Sequence, residues 1–184
     1  MAPVTRYVVL LRGINVGGKN PVPMARLREL LDGLGYQDVA TYIASGNVIL
    51  ASDHDPGRIK REIEAALPKA FTLDSELVAV LVLTAAQLLA VVDNRPAGFG
   101  DAPAVYHSDA IFLMGIDAAQ ALEAFDPRPG VDTVWAGDGV VYSQRLSAQR
   151  TKSRLSRVMG SPLYKSMTIR SWATTTRLAE LVAD

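Results

Sequence analysis

The 184-residue chain has no cysteine and only two histidines, His54 and His107. The missing cysteine excludes a disulfide framework, thiolate zinc sites, iron–sulfur ligation and a cysteine nucleophile, and it fits a reducing compartment. Both histidines stand in loop-like contexts beside aspartates, without ligand spacing, so the sequence points to no metal and no cofactor. No serine sits in a G-x-S-x-G elbow, which sets an α/β-hydrolase aside. Asp53-His54-Asp55 at a helix start reads as capping rather than catalysis. No carboxylate pair stands out for general acid–base work. Long hydrophobic runs are missing too. Tyr7–Leu11 is too short for an export signal and ends on Arg12, while Leu77–Leu83 has the length of a strand and not of a membrane span. The expected location is the cytoplasm, with no membrane partner.

Acidic residues are absent from one long stretch. None lies between Asp138 and Glu180, where Arg145, Arg150, Lys152, Arg154, Arg157, Lys165, Arg170 and Arg177 all fall. Residues 1–138 carry 11 basic and 17 acidic side chains, a net −6, and residues 139–184 carry eight and two, a net +6. A run of this kind attracts phosphates, or it is a solvated face that neutralises the acidic remainder.

What is present is a globular composition, 49% hydrophobic and 21% charged. Thr5–Arg12 reads as a buried strand, a continuous apolar run with valines. After a Gly-rich connection, Pro23 suits a first helical turn, and Met24, Leu27, Leu30, Leu31 and Leu34 recur at helical spacing up to Gly33 and Gly35. Val39–Ala44 and Val48–Leu50 are strands around the turn Ser45-Gly46-Asn47. Asp55-Pro56 opens a second helix, Leu77–Leu83 is a fourth strand, and Thr84 caps a third helix to about Val92. Beyond a Pro/Gly-rich stretch the order repeats: strand Ala110–Gly115, a helix capped by Asp117, strands Thr133–Ala136 and Val140–Tyr142, a basic helix from about Thr151 to Met159, strand Met167–Arg170 and a final helix.

Both parts therefore read β-α-β-β-α-β. The expected fold is α/β (α+β), with duplicated ferredoxin-like halves, the first carrying an extra helix. The halves are residues 1–94 and 109–184, the second ending in the basic segment, with a linker at 95–108. Thr41–Leu50 also matches Thr133–Tyr142 in wording at a constant offset, which points to an internal duplication.

Three stretches carry a family resemblance: Tyr7–Pro21, Thr41–Val48 and Thr168–Thr174. Together they resemble a bacterial family catalogued as domain of unknown function 1697, which tends to carry Asn where Ser171 stands here. The resemblance implies a cytosolic bacterial protein of this length with a duplicated ferredoxin-like fold, and it brings no reaction with it.

Gly13–Asn20 follows the first strand and fits G-x-x-x-x-G-K, but it ends in Asn20 where a P-loop has the magnesium-binding Ser or Thr. Pro21 and Pro23 defer the helix, and a hairpin follows it, so a true P-loop is not expected. The loop can still hold an anion. Gly13, Gly17 and Gly18 let backbone N–H groups turn toward a ligand, Arg12 and Lys19 add charge, and Asn15 and Asn20 can donate or accept. Ser45 and Asn47 join this site if their turn neighbours the loop, since Gly and Asn are otherwise what a hairpin needs. A long β-to-α connection with capping asparagines is the plainer account of the same residues. The second candidate surface is Arg150, Lys152, Arg154, Arg157, Lys165, Arg170 and Trp172, where basic and aromatic side chains suit a nucleic-acid backbone and its bases. The expected partner is a small phosphorylated or carboxylated ligand, or nucleic acid.

Overall fold

The computed structural model describes residues 2–74 and 78–184. In chain order it contains β1 (Thr5–Arg12), α1 (Met24–Gly33), β2 (Gln37–Tyr42), β3 (Asn47–Ser52), α2 (Pro56–Ala70), β4 (Ala79–Thr84), α3 (Ala85–Asp93), β5 (Tyr106–Leu113), α4 (Ala118–Leu122), β6 (Asp132–Ala136), β7 (Val140–Leu146), β8 (Met167–Ser171) and α5 (Trp172–Ala183). The fold is mixed α+β with two four-stranded antiparallel sheets, β2-β3-β1-β4 and β6-β7-β5-β8. Each has the strand order of the ferredoxin-like arrangement. The chain forms two compact units. One runs to Leu89 and takes in Leu178–Asp184, and the other is Ala90–Arg177.

In the first unit, β1 is buried from Tyr7 through Leu11, as its unbroken apolar run requires. Tyr7, Val9 and Leu11 share a core with Leu27 and Leu31 of α1 and with Ile59, Ile63 and Leu67 of α2, the stripes that helical spacing presents to the sheet. Each such side chain contributes about 1.5–3 kcal/mol. Helix α1 ends in a Schellman motif: Gly35 N donates to Asp32 O at 3.0 Å and Tyr36 N to Leu31 O at 3.3 Å. Asp55 caps α2 by accepting from Arg58 N at 3.0 Å. Thr84 and Gln87 bond reciprocally at the start of α3, and Asp117 and Gln120 do the same for α4. Among the described residues, no helix is long and apolar enough to cross a membrane.

Several expected boundaries move. β2 stops at Tyr42, because Ile43 is left-handed at φ 49° and turns the chain out of the strand. The expected start of β4 at Leu77 lies outside the described residues, and the described strand begins at Ala79. β5 begins at Tyr106 rather than Ala110, since Tyr106 and His107 already pair with Leu146 and Arg145. The two hairpins do not correspond at a constant offset. Thr41 pairs with Val48, whereas Thr133 pairs with Gln144. Four residues separate Tyr42 from Asn47 at the first tip, but Gly137 N bonds Val140 O directly around the two-residue second tip.

The largest correction concerns the basic helix. Residues 147–166 form three separate 3-10 segments, Ser147–Lys152, Leu155–Gly160 and Pro162–Ser166. The cause lies on β6. The buried Asp132 carboxylate accepts from Ser153 Oγ at 2.6 Å, from Arg154 N at 2.8 Å and from Arg128 N at 3.0 Å. Ser153 is thereby held extended, at φ −62° and ψ 144°, and the helix cannot run through it. Pro162 excludes Ser161 from helical geometry at the next break. Arg150, Arg154 and Arg157 consequently do not share one α-helical face.

Candidate anion site

The Gly-rich connection after β1 folds into a miniature hairpin. Asn15 N donates to Asn20 O at 3.0 Å and Lys19 N to Val16 O at 2.9 Å. Gly17 and Gly18 at its tip have φ 57° and 75°, the primed type that joins tightly paired strands. Helix α1 starts only at Met24, behind Pro23, so the geometry is not that of a P-loop.

Two side-chain amides hold this hairpin in place. Asn15 Nδ2 donates to Val22 O at 2.9 Å and to Ala44 O at 2.7 Å, while its Oδ1 accepts from Val22 N at 2.7 Å. Asn20, 4% exposed, donates to Gly13 O at 2.8 Å and accepts from Asp74 N at 2.6 Å. Both residues are themselves left-handed, at φ 53° and 50°. Their amides build the loop rather than face outward from it. Arg12, half-buried at the end of β1, stands at the root of the loop, and Lys19 is exposed near its tip.

The Ser45-Gly46-Asn47 turn is a neighbour of this loop. Leu11 N donates to Gly46 O at 2.8 Å, and Leu10 pairs with Asn47 across β1 and β3. A Cβ on Gly46 would lie 2.9 Å from Leu11 Cβ and 3.0 Å from Ile14 Cδ1, so only glycine permits this approach. Asn47 is fully buried, and its Nδ2 donates to Tyr42 O at 3.0 Å and Ser45 Oγ at 2.9 Å.

The basic segment is dispersed. Asp126 takes both Arg154, at 3.3 Å, and Arg157, at 2.8 Å. Arg170 is 7% exposed and donates to Thr168 Oγ1 and Ile169 O, each at 2.9 Å; burial lowers its pKa to about 10. Trp172 packs edge-on against Phe99 and Tyr142. Arg150, Lys152 and Lys165 remain exposed on two separate 3-10 segments rather than on one helix.

One polar cluster was not visible in the sequence. Tyr36 OH donates to Glu62 Oε2 at 2.6 Å, Arg58 Nε donates to Oε1 at 2.7 Å, and His54 Nδ1 lies 3.4 Å from Oε2. The bonds from Tyr36 and Arg58 hold the Glu62 carboxyl below its usual range. Burial, with Glu62 beside it, pushes the Tyr36 phenol up. A carboxylate held ionised by two donors is a weak base, so the cluster clamps α2 to the chain entering β2. Its only sequence signal is the i, i+4 spacing of Arg58 and Glu62.

The family model described as protein of unknown function (DUF1697) matches residues 4–142. Among solved structures the chain is similar to "conserved bacterial protein SP0830 from Streptococcus pneumoniae", with 25% identity and a TM-score of 0.79 over 98% of this chain and 99% of that one. A comparison with curated proteins finds no match.

Proposed function

As the chain belongs to the family described as protein of unknown function (DUF1697), it inherits no activity, and we propose that it binds a small phosphorylated or carboxylated ligand at the loop Arg12–Asn20. The observation that carries this reading is the way the loop is fixed. Asn15 ties it to Ala44 and Val22, and Asn20 ties it to Gly13 and Asp74. Two non-glycine residues hold left-handed backbone to do so, each at a cost of about 1 kcal/mol or more. A connection that merely linked β1 to α1 would need neither the length nor the strain. A rigid hairpin with Arg12 at its root and Lys19 near its tip is a preorganised anion clamp, in which binding orders little that is not already ordered. Asn15, Asn20 and Asn47 build the scaffold, and Ser45 and Gly46 support it from the adjoining turn.

Nucleic acid is the less favoured partner. Asp126 pairs with two of the arginines on which that reading depends and offsets one of their charges, and Arg170 is buried.

Titration of the 15N-labelled protein with inorganic phosphate, pyrophosphate and citrate tests the proposal. At least one should shift the amide resonances of Gly17, Gly18 and Lys19, and Lys19→Glu should weaken that response about tenfold or more. Shifts confined to Arg150, Lys152 and Lys165, or no saturable shift, would overturn it.

A further inference from the structure

Within Ala90–Arg177, a cavity of about 410 Å³ opens beside the start of α5. That volume is near the lower end for small-molecule sites and suits a single ring system. Pro103, Tyr106 and Trp172 supply its apolar wall, and His107, Ser108 and Ser171 its polar groups.

The tryptophan is wedged in one orientation. Phe99, fully buried, meets its ring edge-on with centroids 5.0 Å apart, and Tyr142 does so at 6.2 Å. Gly100, at φ 77°, passes so close that a Cβ there would lie 2.3 Å from the indole. A large flat surface fixed by its neighbours is what an aromatic ligand requires, because little side-chain entropy is lost on binding.

The polar groups are fixed as well, and what they offer is acceptor capacity. Ser108 Oγ donates to Gln144 Oε1 at 2.9 Å, and Gly100 N reaches the same oxygen at 3.3 Å. Ser171 Oγ donates to Thr174 Oγ1 at 3.0 Å and accepts from Thr174 N at 3.1 Å. Both hydroxyl hydrogens are thus committed, while oxygen lone pairs are left over. His107 Nε2 lies 3.0 Å from Asp109 Oδ2, and the tautomer that donates this bond presents Nδ1 as an acceptor.

We propose that this cavity binds a planar heteroaromatic ring of nucleobase size bearing amino or ring N–H donors, packed on Trp172 with its donor edge toward Ser108, Ser171 and His107. Packing of a base on an aromatic side chain is worth about 1–3 kcal/mol, and the donors select among rings of equal size. Every residue involved lies in one unit, so the site stands independently of the loop at Arg12–Asn20.

The test is calorimetric titration of the full chain with adenine and with 6-dimethylaminopurine, whose amino hydrogens are replaced by methyl groups. The Trp172 indole N–H resonance provides the local readout. Adenine should bind saturably and move that resonance, and the dimethyl compound should bind about tenfold more weakly. Ala173→Phe fills the cavity from an exposed position and should abolish binding, with Thr176→Phe as a second filling variant if the first does not fold. Ser108→Ala should cost several-fold in affinity. No saturable binding of adenine up to about 10 mM, or equal affinity in a folded cavity-filling variant, overturns the assignment.

Discussion

The side-chain amide of Asn15 reaches Ala44 O at 2.7 Å, tying the loop after β1 to the β2–β3 turn across 29 positions of sequence. Replacing Asn15 separates two effects that this residue combines. Asn15→Gly keeps the left-handed backbone and deletes three hydrogen bonds, and should destabilise the fold by about 1–3 kcal/mol. Asn15→Ala loses the same bonds and adds the strain of φ 53°, about 1 kcal/mol more. Urea denaturation should rank wild type above glycine and glycine above alanine. Equal midpoints for the two variants would remove strain from the account.

Gly46→Ala tests the contact between the loops from the other side. The new Cβ meets Leu11 and Ile14 at 2.9–3.0 Å, at a φ of 86°. Overpacking and strain together should cost about 2–4 kcal/mol. Gly130→Ala is the control, with a similar φ of 78° and open space around the position, and it should lose only the strain component of about 1–2 kcal/mol. Thermal melts of both variants give the comparison.

How much of this was legible in the sequence follows the range of the forces involved. Local signals served well. Thr5–Arg12 is the observed first strand because nothing in an unbroken apolar run competes with pairing. Asp55, Thr84 and Asp117 cap the helices they precede, since a cap acts within three residues. The failures lie where a distant partner overrides a local preference. Thr151–Met159 has helical periodicity, but Asp132, on a strand two elements earlier, captures Ser153 and Arg154. The candidate loop was visible from its glycines, yet the work of its asparagines was not, because Ala44 and Asp74 are far along the chain. Gly100 read as linker composition until Trp172 supplied its reason.

Asp132 gives a prediction with a definite pH dependence. Burial alone would raise its pKa, but bonds from Arg154, Ser153 and Arg128 and the charge of Arg145 outweigh it and leave the value below the ordinary 3.8. The carboxylate therefore stabilises the fold fully above about pH 3.8, and that contribution is lost as pH falls through the lower folded value. Asp132→Asn keeps one acceptor oxygen and loses the charge, and should cost about 2–4 kcal/mol near neutral pH. Urea midpoints compared across pH should show the gap to wild type narrowing in acid. A gap independent of pH would mean that shape, not charge, is what Asp132 provides.

Tyr36, Glu62 and Arg58 allow a coupling measurement. Tyr36→Phe leaves Glu62 with one charged partner, and Glu62→Gln leaves the buried phenol with a weaker acceptor. A double-mutant cycle should give a favourable coupling of about 1–2 kcal/mol, as a hydrogen bond to an ionised group does. Additive effects would mean that the two residues stabilise their elements separately.

The salt dependence of oligonucleotide binding distinguishes a small-anion site from a nucleic-acid face. Arg154 and Arg157 already neutralise Asp126, and Arg170 lies within the fold, so few cations of the basic segment are positioned to displace counterions together. Each phosphate neutralised contributes about −0.7 to −0.9 to the slope of log K against log salt. Fluorescence anisotropy of labelled single-stranded and duplex DNA should therefore show weak binding with a slope no steeper than about −2 to −3. Asp126→Asn releases two arginines and should steepen that slope by up to about two contacts while leaving the phosphate response of Gly17, Gly18 and Lys19 unchanged. A steep slope in the wild type, insensitive to Asp126, would transfer the anion-binding role from the loop at Arg12–Asn20 to the segment from Arg150 to Lys165.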